Sequence, residues 1–150
     1  MAAHRNDPEL VSALLTDRAV WAVAGLSANQ ARAAYGVAGW LKAELGMGLV
    51  AVHPKAELVH GAPAYPNLSA IPDGTHVAVV DCFVSSEHVG QVVDEAIANR
   101  DRLAITAVWM QLGVVDEAAA SRARAAGLGV VMDACPRIEW PSVRAAQTAS

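Results

Sequence analysis

Four short stretches carry the polar chemistry of an otherwise apolar sequence. They are Gly25-Leu26-Ser27 running on to Asn29 and Arg32, then His53-Pro54-Lys55, Phe83-Val84-Ser85-Ser86, and Gln111-Leu112-Gly113. A glycine lets a backbone turn tightly and approach a ligand closely. An arginine grips a phosphate through two parallel hydrogen bonds. Placed just before a helix, whose first N–H groups are unpaired and whose dipole end is positive, the first stretch makes an anion site. In an NAD-type domain the second strand ends in an acidic residue that accepts from the ribose hydroxyls. Here that place holds His53 and Lys55, which suit an extra phosphate on the ribose. The first stretch is not a full dinucleotide fingerprint, because Ser27 and Gln30 stand where the second and third glycines belong. Gly25 equally suits an ordinary strand-to-helix turn, and residues 53–55 equally suit a solvated loop.

Each of these stretches follows an apolar run of the kind a fully buried strand shows. Strands are expected over residues 20–24, 49–52, 61–65, 77–81, 104–110 and 128–132, the third kept near an edge by Pro63 and Pro66. Between them lie helical stripes: Ala34, Val37, Ala38, Leu41 and Leu45, broken by Gly46 and Gly48, then Val89, Val92, Val93, Ala96 and Ile97. Gly36 and Gly39 are read as close packing of helix on sheet. Ser85 or Ser86 is the expected N-cap of the second stripe. A further helix spans residues 116–126 and ends at Gly127. Asn6-Asp7-Pro8 starts a short N-terminal helix with Leu10, Val11, Leu14 and Leu15 on one face, covering an edge or end of the sheet. Residues 142–150 read as a frayed tail. Alternating strands and helices predict an α/β fold, a doubly wound parallel sheet in the order 3-2-1-4-5-6, Rossmann-like and single-domain. Its ligand crevice lies between the first and fourth strands, where the four polar stretches converge.

The 150 residues suit one domain, here residues 19–141 between an N-terminal helical segment (1–18) and a C-terminal tail (142–150). With 54% hydrophobic and 17% charged residues the chain is globular. A net charge of −4 without a basic stripe argues against nucleic acid. No apolar run approaches the roughly 20 residues of a membrane span. Two cysteines and no signal-peptide pattern over residues 1–7 point to a reducing cytoplasm.

Several segments together resemble a known family. They are Gly25-Leu26-Ser27 with Arg32 and Tyr35-Gly36-Val37, His53-Pro54, Gly61 with Ala64-Tyr65-Pro66, Trp109-Met110-Gln111-Leu112-Gly113, and Asp133-x-Cys135-Pro136. They resemble the small stand-alone CoA-binding domain proteins of bacteria, relatives of the CoA-binding domain of succinyl-CoA synthetase and of ADP-forming acyl-CoA synthetases. The resemblance spans roughly residues 19–141. It implies a Rossmann-like fold, with CoA phosphates near the first loop and residues 53–55. The sequence departs from the family pattern at Gln30, at His53, and at Val84 and Ser85, where the family often carries arginine.

Catalytic constellations are sparse. His4, His53, His60, His76 and His88 lack metal-ligand spacing. Ser27, Ser85 and Ser86 are read as helix-start residues. Cys135 is read as a small packing cysteine in preference to a reactive thiol. Asp133 and Glu139 are read as salt-bridge partners of Arg137. The related ligases need a phosphorylated histidine in a second domain, which this chain is expected to lack. The sequence therefore predicts binding of coenzyme A or an acyl-CoA without catalysis. The expected contacts are Gly25, Leu26, Ser27, Arg32, His53, Pro54, Lys55, Phe83, Val84 and Gln111. The alternatives are an NADP-type dinucleotide binder or small reductase, and a protein-interaction module with a vestigial crevice. The protein partner, if any, is open.

Overall fold

The computed structural model describes residues 3–149. Residues 1, 2 and 150, the outer ends of the two terminal segments expected above, lie outside the described residues.

Asp7 caps the first helix, α1 (Pro8–Thr16), by accepting from the Glu9 N–H. The chain then runs β1 (Val20–Ala24), α2 (Ala33–Leu45), β2 (Gly48–Val52) and β3 (Ala64–Tyr65). A 3-10 turn at Leu68–Ala70 leads to β4 (Val79–Cys82), α3 (Val89–Ala98) and the one-turn α4 (Arg100–Leu103). The last elements are β5 (Ala107–Met110), α5 (Glu117–Ala125), β6 (Gly129–Val131) and α6 (Pro136–Thr148). The six strands form one sheet in the order β3-β2-β1-β4-β5-β6, and every named strand pair is parallel. This is the doubly wound order expected.

Side chains alternate across a strand, so the sheet builds two cores. Ala22, Val50, Val80, Val108 and Val130 pack under α3 and α5. Trp21, Val23, Leu49, Val79, Trp109 and Val131 pack under α1, α2 and α6. Trp109 is fully buried, lies 5.6 Å from Trp21 between ring centroids, and donates its indole N–H to the Ala134 carbonyl at 2.9 Å.

Several expectations need correction. Residues 142–148 are not a frayed tail. They complete α6, whose Val143 is buried against the core shared with α1 and α2. The stretch carries few apolar residues, so the helix owes its place to packing on distant elements, which local patterning does not reveal. Gly36 is exposed with nothing near it, and Gly39 faces the His60 ring, so neither packs helix on sheet. His60 also hydrogen-bonds the Tyr35 carbonyl at 2.7 Å, pinning the β2–β3 connection to α2. Strand β3 pairs only at Ala64 and Tyr65, because Pro63 and Pro66 have no N–H to continue the ladder.

Candidate functional site

The loops after β1, β2, β4, β5 and β6 enclose an open cleft of about 1520 Å³ along the C-terminal edge of the sheet. That volume exceeds the roughly 300–1,000 Å³ of a drug-sized pocket and fits a long ligand. The floor is set at Gly25, which closes β1 with a φ of 91°. A Cβ there would stand 2.3 Å from the Phe83 carbonyl oxygen, so only glycine lets the loops after β1 and β4 touch. Backbone bonds from Gly25 N to Val52 O (2.8 Å) and from Phe83 N to Ala24 O (2.9 Å) fix three strand ends at this point.

Most of the residues singled out from sequence come together here. Gly25, Ser27 and Arg32 line the cleft from the first loop, and His53, Pro54 and Lys55 from the second. Phe83, Val84 and Gln111 line it across β4 and β5. Leu26 is the exception. Its side chain is fully buried in the core beneath α2, which leaves only its backbone to the loop. A two-residue alternation at a turn is enough to send neighbouring side chains to opposite sides, and the turn geometry was not legible in sequence.

The loop into α2 is braced by its own polar groups. Ser27 Oγ accepts from the Asn29 N–H at 3.3 Å, and Asn29 Oδ1 accepts from the Ala31 N–H at 3.0 Å. Arg32 takes the N-cap position of α2 with no side-chain cap bond. Its guanidinium and the Lys55 ammonium are exposed on the rim and form no ion pair among the described residues. His53 is oriented by accepting the Lys55 N–H on Nδ1 at 3.1 Å. Asp7 and Asp116, by contrast, cap α1 and α5, whose capping residues stand outside the cleft. The cap positions of α3 and α6, His88 and Cys135, also lack a side-chain cap bond and also line the cleft. Helix N-termini left uncapped around a cleft favour an anionic ligand.

Ser85 and Ser86 do not cap α3. Ser85 Oγ lies 2.6 Å from His88 Nδ1, and Ser86 ties the loop after β5, donating to the Gly113 carbonyl and accepting from Val115 N–H at 2.9 Å. The expected bridge from Arg137 to Asp133 or Glu139 is absent among the described residues. Asp133, held at φ 57°, instead accepts the Gly113 N–H at 2.7 Å and so clamps the loops after β5 and β6 together.

Cys82 and Cys135 are both free; Cys82 is buried, as a packing residue should be, while Cys135 is half-buried, packing on the core under α2 and lining the cleft wall, the rim side expected for it from the strand order. One feature escaped sequence reading. Asp81, on β4 between Val23 and Trp109 in register, is fully buried, and among the described residues neither its carboxylate oxygens nor the Trp21 indole N–H on the same face has a hydrogen-bond partner. Burial pushes the Asp81 carboxyl well above the usual carboxylate range. Burial first, and the neighbouring Asp81 second, push the Cys82 thiol up as well. An aspartate inside an apolar strand end is visible in sequence, but its burial is not.

The fold and the position of the cleft define the class: a doubly wound, Rossmann-like domain with its cleft at the strand C-termini. Within that class, the CoA binding domain family matches residues 19–141, and the chain belongs to that family. It is similar to the crystal structure of Prb, a PH1109 protein redesigned for binding, with 31% identity and a TM-score of 0.80 over 91% of this chain and 92% of that one. It is also similar to a hypothetical protein from Pyrococcus horikoshii OT3, with 28% identity and a TM-score of 0.76 over 95% of this chain and 99% of the other. The dinucleotide forming acetyl-coenzyme A synthetase 1 of Ca. Korarchaeum cryptofilum shares the fold, with 19% identity and a TM-score of 0.64 over 82% of this chain and 28% of that one. No helix among the described residues is long and apolar enough to cross a membrane.

Proposed function

We propose that the protein binds coenzyme A or an acyl-CoA in the cleft, and does so without catalysing a reaction on it. The observation that carries this reading is the cationic rim at the uncapped start of α2, where Arg32 and Lys55 have no acidic partner among the described residues. Family membership supports the choice of ligand. In this reading the backbone N–H groups of Leu26 and Ser27 meet the pyrophosphate, the Gly25 N–H being already given to the Val52 carbonyl. Arg32, with His53 and Lys55, neutralises phosphate charge. Phe83, Val84 and Gln111 line the path of the adenine or pantetheine portion.

The test is thermal shift and calorimetry against coenzyme A, acetyl-CoA, NADPH and NADH. The expected result is a rise in melting temperature with the CoA species alone. Arg32→Ala should weaken CoA binding by about 1.5–3 kcal/mol, the worth of a hydrogen bond to a charged group, and added salt should weaken it further. A rise with NADPH alone, or unchanged CoA affinity in both Arg32→Ala and Lys55→Ala, would overturn the reading.

A further inference from the structure

The cleft does not end at the phosphate rim. It crosses the sheet from residues 53–55 after β2 to Cys135 after β6. Four strand steps separate those ends, about 19 Å at the usual inter-strand spacing. Coenzyme A is polar at one end, has amide groups along its arm, and ends in a thiol. With its phosphates over α2, the longer reach of the cleft for its arm lies across β4 and β5 toward β6.

Two residues along that path lack a role. Gln111, the first residue after β5, lines the cleft yet is only 4% exposed, and its Oε1 is enclosed without a hydrogen-bond partner. A buried amide oxygen left unpaired is costly, and a turn of the Gln111 side chain into the cleft would let it accept the N–H of an amide in the ligand arm. Beyond Gln111 the Cys135 thiol stands half-buried on the cleft wall, which Leu112, Val114 and Ile138 also line.

We propose that Cys135 is a covalent attachment site for coenzyme A, formed by exchange with the disulfide form of the coenzyme. The inference rests on the CoA-binding reading above. The Cys135 thiolate attacks one sulfur of the CoA disulfide. A new bond forms between Cys135 Sγ and that sulfur, and the original sulfur–sulfur bond breaks. The second CoA leaves as a thiolate and takes up the proton that Cys135 released. No further oxidant enters, because the disulfide already carries the oxidising equivalent. Gln111 acts as the positioning residue, holding the arm so that its sulfur reaches Cys135. The product is a protein whose cleft is filled until a thiol reductant releases it, which makes occupancy depend on the ratio of CoA disulfide to CoA.

Intact-mass spectrometry after incubation with CoA disulfide tests this. The expected result is one adduct, with the mass of CoA less two hydrogens, mapped to Cys135, released by dithiothreitol and absent in Cys135→Ser. Cys82 should stay unmodified in the same folded sample. The rate should exceed that with oxidised glutathione at least tenfold, since binding in the cleft concentrates the reagent at the thiol. Gln111→Leu should slow the CoA reaction about fivefold, the loss of one neutral hydrogen bond, and leave the glutathione reaction unchanged. Equal rates with the two disulfides would reveal a merely accessible thiol and overturn the proposal. An unslowed CoA reaction in Gln111→Leu would overturn the arm's path over Gln111 and the approach to Cys135 built on it. Wild-type protein that binds reduced CoA in calorimetry but forms no adduct overturns the attachment and leaves the binding reading standing. Protein that neither binds CoA nor forms the adduct overturns both.

Discussion

Asp81 occupies a place where water cannot reach its carboxylate and no donor meets it. It is therefore carried neutral in the fold at pH values where the unfolded chain ionises it. With the folded pKa raised, the unfolded chain begins to lose this proton near pH 4, while the folded protein keeps it. The stability tied to Asp81 is thus complete below that pH and declines as pH rises toward the folded pKa. Asparagine has no such slope. Asp81→Asn should gain on the wild type as pH rises from 5 to 8, by up to about 1.4 kcal/mol per pH unit while the folded carboxyl stays neutral. Urea unfolding at both pH values reads the difference, and a gap that does not change with pH would show a carboxylate already ionised in the fold. Gly25 is the second residue whose replacement is decided locally. Its positive φ and the Phe83 carbonyl, which a Cβ would overlap, make Gly25→Ala cost more than about 1 kcal/mol. Calorimetric unfolding with no loss would mean that the two loops move apart freely.

Among the helices longer than one turn, a side-chain cap separates the ends outside the cleft from those that line it. Asp116 Oδ1 accepts the Ala119 N–H at 2.9 Å and holds the start of α5. Asp116→Ala should cost about 1 kcal/mol of stability, readable as a lower urea midpoint at unchanged slope. Arg32 stands at the equivalent place on α2 without capping it. Arg32→Ala should leave unfolding within about 0.5 kcal/mol of the wild type while CoA affinity falls. If the same variant lowered stability as much as Asp116→Ala does, Arg32 would be a structural residue and the anion site would lose its main cation. Helix α6 shows the reverse case, an element not read as a helix from sequence at all, because what stabilises it is contact with α1 and α2.

Across the whole molecule the order of strands keeps the two cysteines apart. β5 lies between β4, which ends in Cys82, and β6, which precedes Cys135. Two strand steps are about 10 Å, beyond the roughly 7 Å that a disulfide spans, and both thiols are free. Titration of the unfolded, unreduced protein should count both. In the folded protein Cys135 should react alone, because Cys82 is fully buried under α3 and burial also holds its thiol in the neutral form. Equal reactivity of the two in the native state would contradict the burial of β4.

The alternation of strands and helices, the six-strand order and the glycine at the end of β1 were legible from the chain itself. Fully buried parallel strands are continuous apolar runs, and right-handed crossovers leave few ways to join them. The same holds for the convergence of residues 25–32, 53–55, 83–84 and 111, since loops after parallel strands must share one edge. Tertiary structure decided what each side chain does there. It turned Leu26 into the core and left Arg32 and Lys55 on the rim without an ion pair among the described residues. It enclosed the Asp81 carboxylate and Gln111 Oε1 without a hydrogen-bond partner among the described residues, and carried α6 through Thr148. The physical reason is range. Apolar runs and turn residues act over a few positions of sequence. Burial, pairing and exposure depend on elements far apart in the chain that meet only once the sheet has formed.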